Sequence, residues 1–119
     1  MVPMLALNFY SDLYEDALRN GRKAATIRLG DKSDKYQEGQ LVWVTVGQRY
    51  SRRQKLFTAI IDHVAVMLVA DLSPRDINRE NPEFRTKDDV LQLLRRIYSP
   101  EISYEDTVTV VYFSPVNEF

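Results

Sequence analysis

Hydrophobic and polar positions recur along this chain at two periods, and the period decides each predicted element. Residues 5–9, Leu-Ala-Leu-Asn-Phe, alternate in size and polarity, which suits a short strand. Ser11 then opens a predicted helix. Asp12, Glu15 and Asp16 fall near its positive N-terminal end, where acidic side chains are favoured. Leu13, Tyr14, Ala17 and Leu18 share one face, Arg19 lies in the last turn, and Asn20-Gly21 supplies a left-handed stop. Residues 24–28 read as a second short strand, and 30–39 as a polar loop rich in charge. Residues 41–46 form a β-branched run around Trp43, hence a strand, and 47–55 a turn or longer hairpin loop. Residues 56–69 are apolar and β-branched with no helix cap. They predict one or two strands with a bend near Asp62-His63.

The helical period returns after that. Ser73 can cap, Pro74 suits the first helical position, and Asp76 completes a capping box. Asn81-Pro82 ends this helix, because a residue before proline is pushed out of helical geometry. Thr86 and Asp89 form a second capping box. Val90, Leu91, Leu94, Ile97 and Tyr98 make an apolar stripe, with Arg95-Arg96 near the C-terminal end. Residues 107–113 alternate into a last strand. Such mixed elements, without strict βαβ alternation, predict an α+β fold with a largely antiparallel sheet. Pattern alone leaves an open sheet and a small barrel as alternatives.

Length and charge narrow the picture. The 119 residues suit a single domain, 1–119, with one continuous core. There is no cysteine, which excludes disulfides, Cys-based zinc sites and thiol nucleophiles. No apolar run approaches a membrane span, and residues 1–5 lack the pattern of a signal peptide, so a cytoplasmic protein without membrane partners is expected. Lys and Arg total 16 against 17 for Asp and Glu, a formal net charge of −1. Any grip on long nucleic acid therefore needs a local patch, whereas a small ligand needs no global charge.

The candidate chemistry is sparse. His63 is the single histidine, within an apolar strand, so a satisfied core or edge histidine is its expected role. A His pair or His-rich metal site is excluded, and neither metal nor cofactor is expected. The dispersed glycines form no phosphate-binding loop. Lys23, Thr26 and Arg28 remain, just after the helix stop. Lysine acts as a base when burial or a cationic neighbour depresses its pKa, and Arg22 and Arg28 are such neighbours. Threonine becomes a nucleophile once a base takes its proton. Glu80, at the end of the Ser73 helix, supplies a proton if it faces a cleft. The ordinary alternative for each is a solvated strand or helix side chain.

Phe9-Tyr10-Ser11-Asp12 with its helix, then Gly21-Arg22-Lys23-Ala24-Ala25-Thr26-Ile27-Arg28, resembles the ASCH family of PUA-like domains. Gly39-Gln40-Leu41-Val42, the segment from Leu72-Ser73 to Glu80-Asn81, and the helix ending in Ile97-Tyr98 are similar too. The likeness spans most of the chain, and its most specific part is the Lys-x-x-Thr-x-Arg core. It implies a small β-barrel with flanking helices, and a cleft between them for a nucleoside or RNA ligand. One bacterial branch of the family hydrolyses N4-acetylcytidine to cytidine and acetate without a metal. The resemblance implies Lys23 as proton acceptor, Thr26 as nucleophile, Glu80 as proton donor, and Arg28 lining the same cleft; Arg22, beside Lys23, is a second candidate for substrate contact. Glu83 competes with Glu80 for the carboxylate role, depending on where the extra residues 82–85 fall. Strand alternation puts Thr26 and Arg28 on one face and Lys23 on the other, so Lys23 must leave from the turn to join them.

Residues 49–55, Arg-Tyr-Ser-Arg-Arg-Gln-Lys, are the densest basic stretch. Arg49, Arg52, Arg53 and Lys55 interleaved with Tyr50 suit phosphate contact and base stacking, or simply a solvated hairpin loop. The sequence thus supports a nucleoside amidohydrolase and a non-catalytic PUA-like RNA-binding module, and gives no oligomeric state.

Overall fold

A computed structural model describes residues 4–11, 14–48 and 51–117. The elements are β1 (Leu5–Phe9), α1 (Glu15–Arg19), β2 (Ala25–Leu29), β3 (Leu41–Val46), β4 (Gln54–Leu68), α2 (Pro74–Glu80), α3 (Lys87–Ile97) and β5 (Thr107–Pro115). A 3-10 turn, Val69–Asp71, joins β4 to α2. One five-stranded sheet runs in the order β1-β3-β4-β5-β2. Among the described residues only β1 and β3 pair in parallel; the other pairings are antiparallel. The described residues thus form an α+β half-barrel with three α-helices.

The 15-residue β4 is its spine. The first half pairs with β3 and the second with β5. Between Ile61 and His63 the register shifts, so Asp62 is an extra residue and the strand bends there without breaking. The bend expected near Asp62-His63 is this bulge. His63 is exposed, with Nδ1 at 3.0 Å from Glu38 Oε1. It is a satisfied surface histidine and not a core one, because the bulge turns it outward.

Alternation then divides the core between the two faces of the sheet. Leu7, Phe9, Val42, Val44, Ile61, Val111 and Phe113 line the inside of the half-barrel. Leu18 of α1 and Tyr36 fill it. Tyr36 comes from the loop that reads as polar and rich in charge, and it is 3% exposed. On the other face α2 and α3 cover Ala25, Ile27, Val108 and Val110 with Ile77, Val90, Leu91 and Leu94.

Both predicted capping boxes form. Ser73 and Asp76 close α2, and Thr86 and Asp89 close α3. The first helix is shorter than predicted: regular α-helix begins at Glu15, after Tyr14 N–H donates to Ser11 O at 3.3 Å. Asp12 and Leu13 lie outside the described residues. The stripe on α3 also ends early. Ile97 and Tyr98 are 55% and 46% exposed, because they pass the end of the sheet and reach a cleft.

Candidate functional site

β1 and β2 are the two edges of the sheet, and the pairings between them give the two strands opposite senses. Between them α1 and a sharp turn carry the chain. Gly21 takes a φ of 81°, which glycine adopts without strain. Asn20 Oδ1 accepts from Arg22 N–H at 2.9 Å, and Lys23 N–H donates to Ala17 O at 2.9 Å. Arg22 is left outside in solvent, and Lys23 is folded inward.

Lys23 is 1% exposed. Its Nζ donates to Ala25 O at 3.0 Å, Glu80 O at 2.6 Å and Glu80 Oε1 at 2.7 Å. The other carboxylate oxygen of Glu80 accepts from Ile27 N–H at 2.7 Å. These backbone partners have a topological reason. β2 pairs with β5 on one side through residues 24, 26, 28 and 30, so Ala25 O and Ile27 N–H face the open side. The Lys23–Glu80 pair supplies the donor and acceptor that a further strand would have supplied. Phe9 and Tyr14 enclose the ammonium, with ring centroids at 5.0 and 5.1 Å from Nζ. Burial pushes the Lys23 pKa below the ordinary lysine range, and the Glu80 carboxylate works against that shift.

Thr26 and Arg28 point to the inside of the sheet, as alternation predicts. Thr26 is 3% exposed, and its Oγ1 accepts from Arg28 Nε at 3.0 Å. Arg28 also donates from Nη2 to Asn8 O at 3.0 Å, and its Cζ lies 5.3 Å from the Phe9 ring centroid. One guanidinium thus reaches from one edge strand to the other.

A cleft of about 690 Å³ opens at this seam. Thr26, Arg28 and Glu80 line one side of it. Tyr10 and Tyr14 approach from the β1–α1 connection, and Ile97 and Tyr98 from the end of α3. Tyr10 is 53% exposed, so an aromatic ring stands at the mouth. Burial raises the Tyr14 pKa above the usual phenol value, and the Glu80 charge adds to it.

The structure brings Thr26, Arg28 and Glu80 together, with Lys23 held behind Glu80. Glu80 and not Glu83 is the carboxylate of the cleft; Glu83 is exposed in the turn after α2. Arg22 is not part of the lining. Arg52, Arg53 and Lys55 are exposed and also stand outside it. Arg49 lies outside the described residues. Tyr10, Tyr14, Ile97 and Tyr98 line the cleft although the sequence pattern does not mark them as site residues. The last two carried a signal, since apolar residues that outrun their helix's core contacts are free to line a cleft. Among the described residues no His, Cys, Asp and Glu cluster could hold a metal ion, and no helix is long and apolar enough to cross a membrane.

No family model and no curated protein matches this sequence. Solved structures do match its fold. A DUF984 protein of Enterococcus faecalis superposes with a TM-score of 0.72 at 17% identity, covering 98% of this chain and 82% of that one. An ASCH domain of Lactobacillus crispatus gives 0.69 at 16% identity, covering 94% and 79%. A hypothetical protein, PH0355, gives 0.66 at 14%, covering 92% and 95%. The chain has the fold of these structures, the ASCH domain among them, and the fold supports the resemblance read from its Lys-x-x-Thr-x-Arg core.

Proposed function

We propose that this chain is an ASCH-type domain whose cleft holds a nucleoside or an unpaired RNA base. The observation that carries this reading is the convergence of Thr26, Arg28 and Glu80 on one wall of an aromatic-rimmed cleft. About 690 Å³ is within the range of small-ligand sites. Arg28 keeps N–H donors beyond the two engaged by Thr26 and Asn8. Tyr10 and Tyr98 offer flat faces for a base. The ASCH domain of Lactobacillus crispatus, at 16% identity, supports the fold and leaves the ligand to be tested.

Hydrolysis of N4-acetylcytidine is the second reading, favoured by the Lys23–Glu80 pair. In the resting geometry the three protons of Nζ point at three oxygens, and Thr26 is not among its partners. Lys23 accepts a proton only after giving one up. Glu80 Oε1, at 2.7 Å, is placed to receive it. That transfer makes a neutral amine and a carboxylic acid from an ammonium and a carboxylate. The amine then takes the Thr26 proton as Oγ1 attacks the acetyl carbon. The Glu80 proton goes to the cytidine nitrogen as the amide bond breaks. Arg28, already donating to Oγ1, lies beside the developing oxyanion. Water releases acetate from Thr26 to finish the cycle.

Incubation with N4-acetylcytidine, with cytidine release followed by chromatography, separates the readings. Release that falls at least about a hundredfold in Thr26→Ala supports the hydrolase. Absent release with saturable cytidine binding leaves the binding domain. Absence of both overturns the nucleoside assignment.

A further inference from the structure

Trp43 is the single tryptophan of the chain, and it is 43% exposed. Its neighbours Val42 and Val44 are fully buried inside the half-barrel, so Trp43 points to the outer face. Among the described residues no helix covers this part of the sheet; α2 and α3 pack on β2 and β5. The register sets Ala6 of β1 and Thr58 of β4 beside the indole. A register shift between Val44 and Thr45 then puts Lys55 opposite Thr45. Lys55 Nζ lies 5.5 Å from the indole centroid. Arg52 and Arg53, both exposed, precede it in the hairpin.

Charge identifies the partner. No Asp or Glu occurs between Glu38 and Asp62, in a chain whose formal net charge is −1. The hairpin sequence is therefore locally basic, and it lies next to one exposed flat ring. That combination suits single-stranded nucleic acid: the ring stacks on an unpaired base and the cations meet phosphates. An apolar protein surface would have to desolvate the cations beside the ring. A duplex presents phosphates but keeps the faces of its bases stacked inside.

The base of the hairpin is fixed as well. Gly47 N–H donates to Phe9 O at 3.0 Å, and Asn8 Nδ2 donates to Gly47 O at 3.1 Å. A Cβ at Gly47 would come within 2.9 Å of Arg53 Cα, so the two arms touch. Asn8 joins this face to the cleft. Its side chain accepts from Thr45 Oγ1 at 2.8 Å, while its carbonyl takes Arg28 at the seam. The Trp43 face and the cleft thus lie on either side of β1.

We infer that Trp43, with Arg52, Arg53 and Lys55, is a stacking platform for single-stranded nucleic acid, distinct from the nucleoside cleft. It uses no residue of the cleft and does not depend on the reading given to it.

The single tryptophan makes the test direct. The intact protein is titrated with a ten-nucleotide oligouridine at low salt while indole emission is followed. The expected result is saturable quenching whose affinity falls as salt rises. Excess cytidine leaves the quenching in place, and a duplex of the same length does not produce it. In anisotropy measurements with labelled oligouridine, Trp43→Ala weakens binding at least about fivefold. The triple change of Arg52, Arg53 and Lys55 to Ala flattens the salt dependence. Absent quenching at low salt, equal quenching by the duplex, or unchanged affinity in Trp43→Ala overturns the platform. Relief of quenching by cytidine overturns its separation from the cleft.

Discussion

Lys23 and Glu80 show how one side chain can hold an element and a site together. Each is legible as a candidate in the sequence, Lys23 by its place after Gly21 and Glu80 by its place at a helix end. Their union is not, because 57 positions separate them and local pattern carries no such contact. Their structural task, completing the open edge of β2, is visible only once the strand order is known. Removing one partner strands a buried charge. Lys23→Met should therefore cost about 3–5 kcal/mol of unfolding free energy. The double variant Lys23→Met with Glu80→Leu should recover part of that loss, leaving Ile27 N–H unsatisfied at about 1–3 kcal/mol. Urea denaturation of both variants measures it. A double variant whose loss equals or exceeds the sum of the single losses would mean that the two side chains do not act as a pair. The same coupling decides how activity is read: loss of turnover in Lys23→Met has to be judged on the folded fraction, whereas Thr26→Ala removes no charge.

Among the elements, the starts of α2 and α3 are the most legible, since a capping box closes within four residues. The first turn of α2 has a further tie that the sequence did not show. Asp76 gives one oxygen to Ser73 N–H and the other to the hydroxyl of Tyr112 on β5. It caps the helix and pins it to the sheet. Losing the Ser73 hydroxyl alone, in Ser73→Ala, should cost about 1 kcal/mol, and Asp76→Ala more, since both links go. The parallel pairing of β1 with β3 was illegible for a related reason: short alternating runs specify a strand but not its neighbour. The Tyr112 tie has a pH signature. Burial, and then the hydrogen bond to Asp76, pushes the phenol well above its ordinary value in the folded protein. Below about pH 10 the phenol is protonated in both states, and its contribution is complete. Above that, the unfolded chain releases the proton and the folded one keeps it, so stability falls as pH rises. Denaturation midpoints from about pH 9 to about pH 11 should fall more steeply for the native chain than for Tyr112→Phe. Parallel slopes would place the alkaline loss elsewhere.

At the scale of the whole molecule, the half-barrel stops short of closure, and the cleft is the gap. α+β class and antiparallel bias followed from element order. Closure did not, because it depends on the bend at Asp62 and on side chains that meet across the seam. Arg28 spans that seam, with Thr26 on its own strand and the Asn8 carbonyl on the opposite edge. Arg28→Lys tests whether this spanning matters, since an ammonium keeps the charge but cannot reproduce the planar fork. Losing the charge-assisted bond to Asn8 should cost about 1.5–3 kcal/mol and raise amide exchange locally along β1, with the β4–β5 ladder unchanged. Nucleoside affinity should fall with it. If affinity falls while exchange along β1 stays as in the native chain, Arg28 is a ligand donor alone. If both change, the bond that draws the two edges together is also the one that shapes the cleft, and any ligand competing for the guanidinium loosens the sheet as it binds.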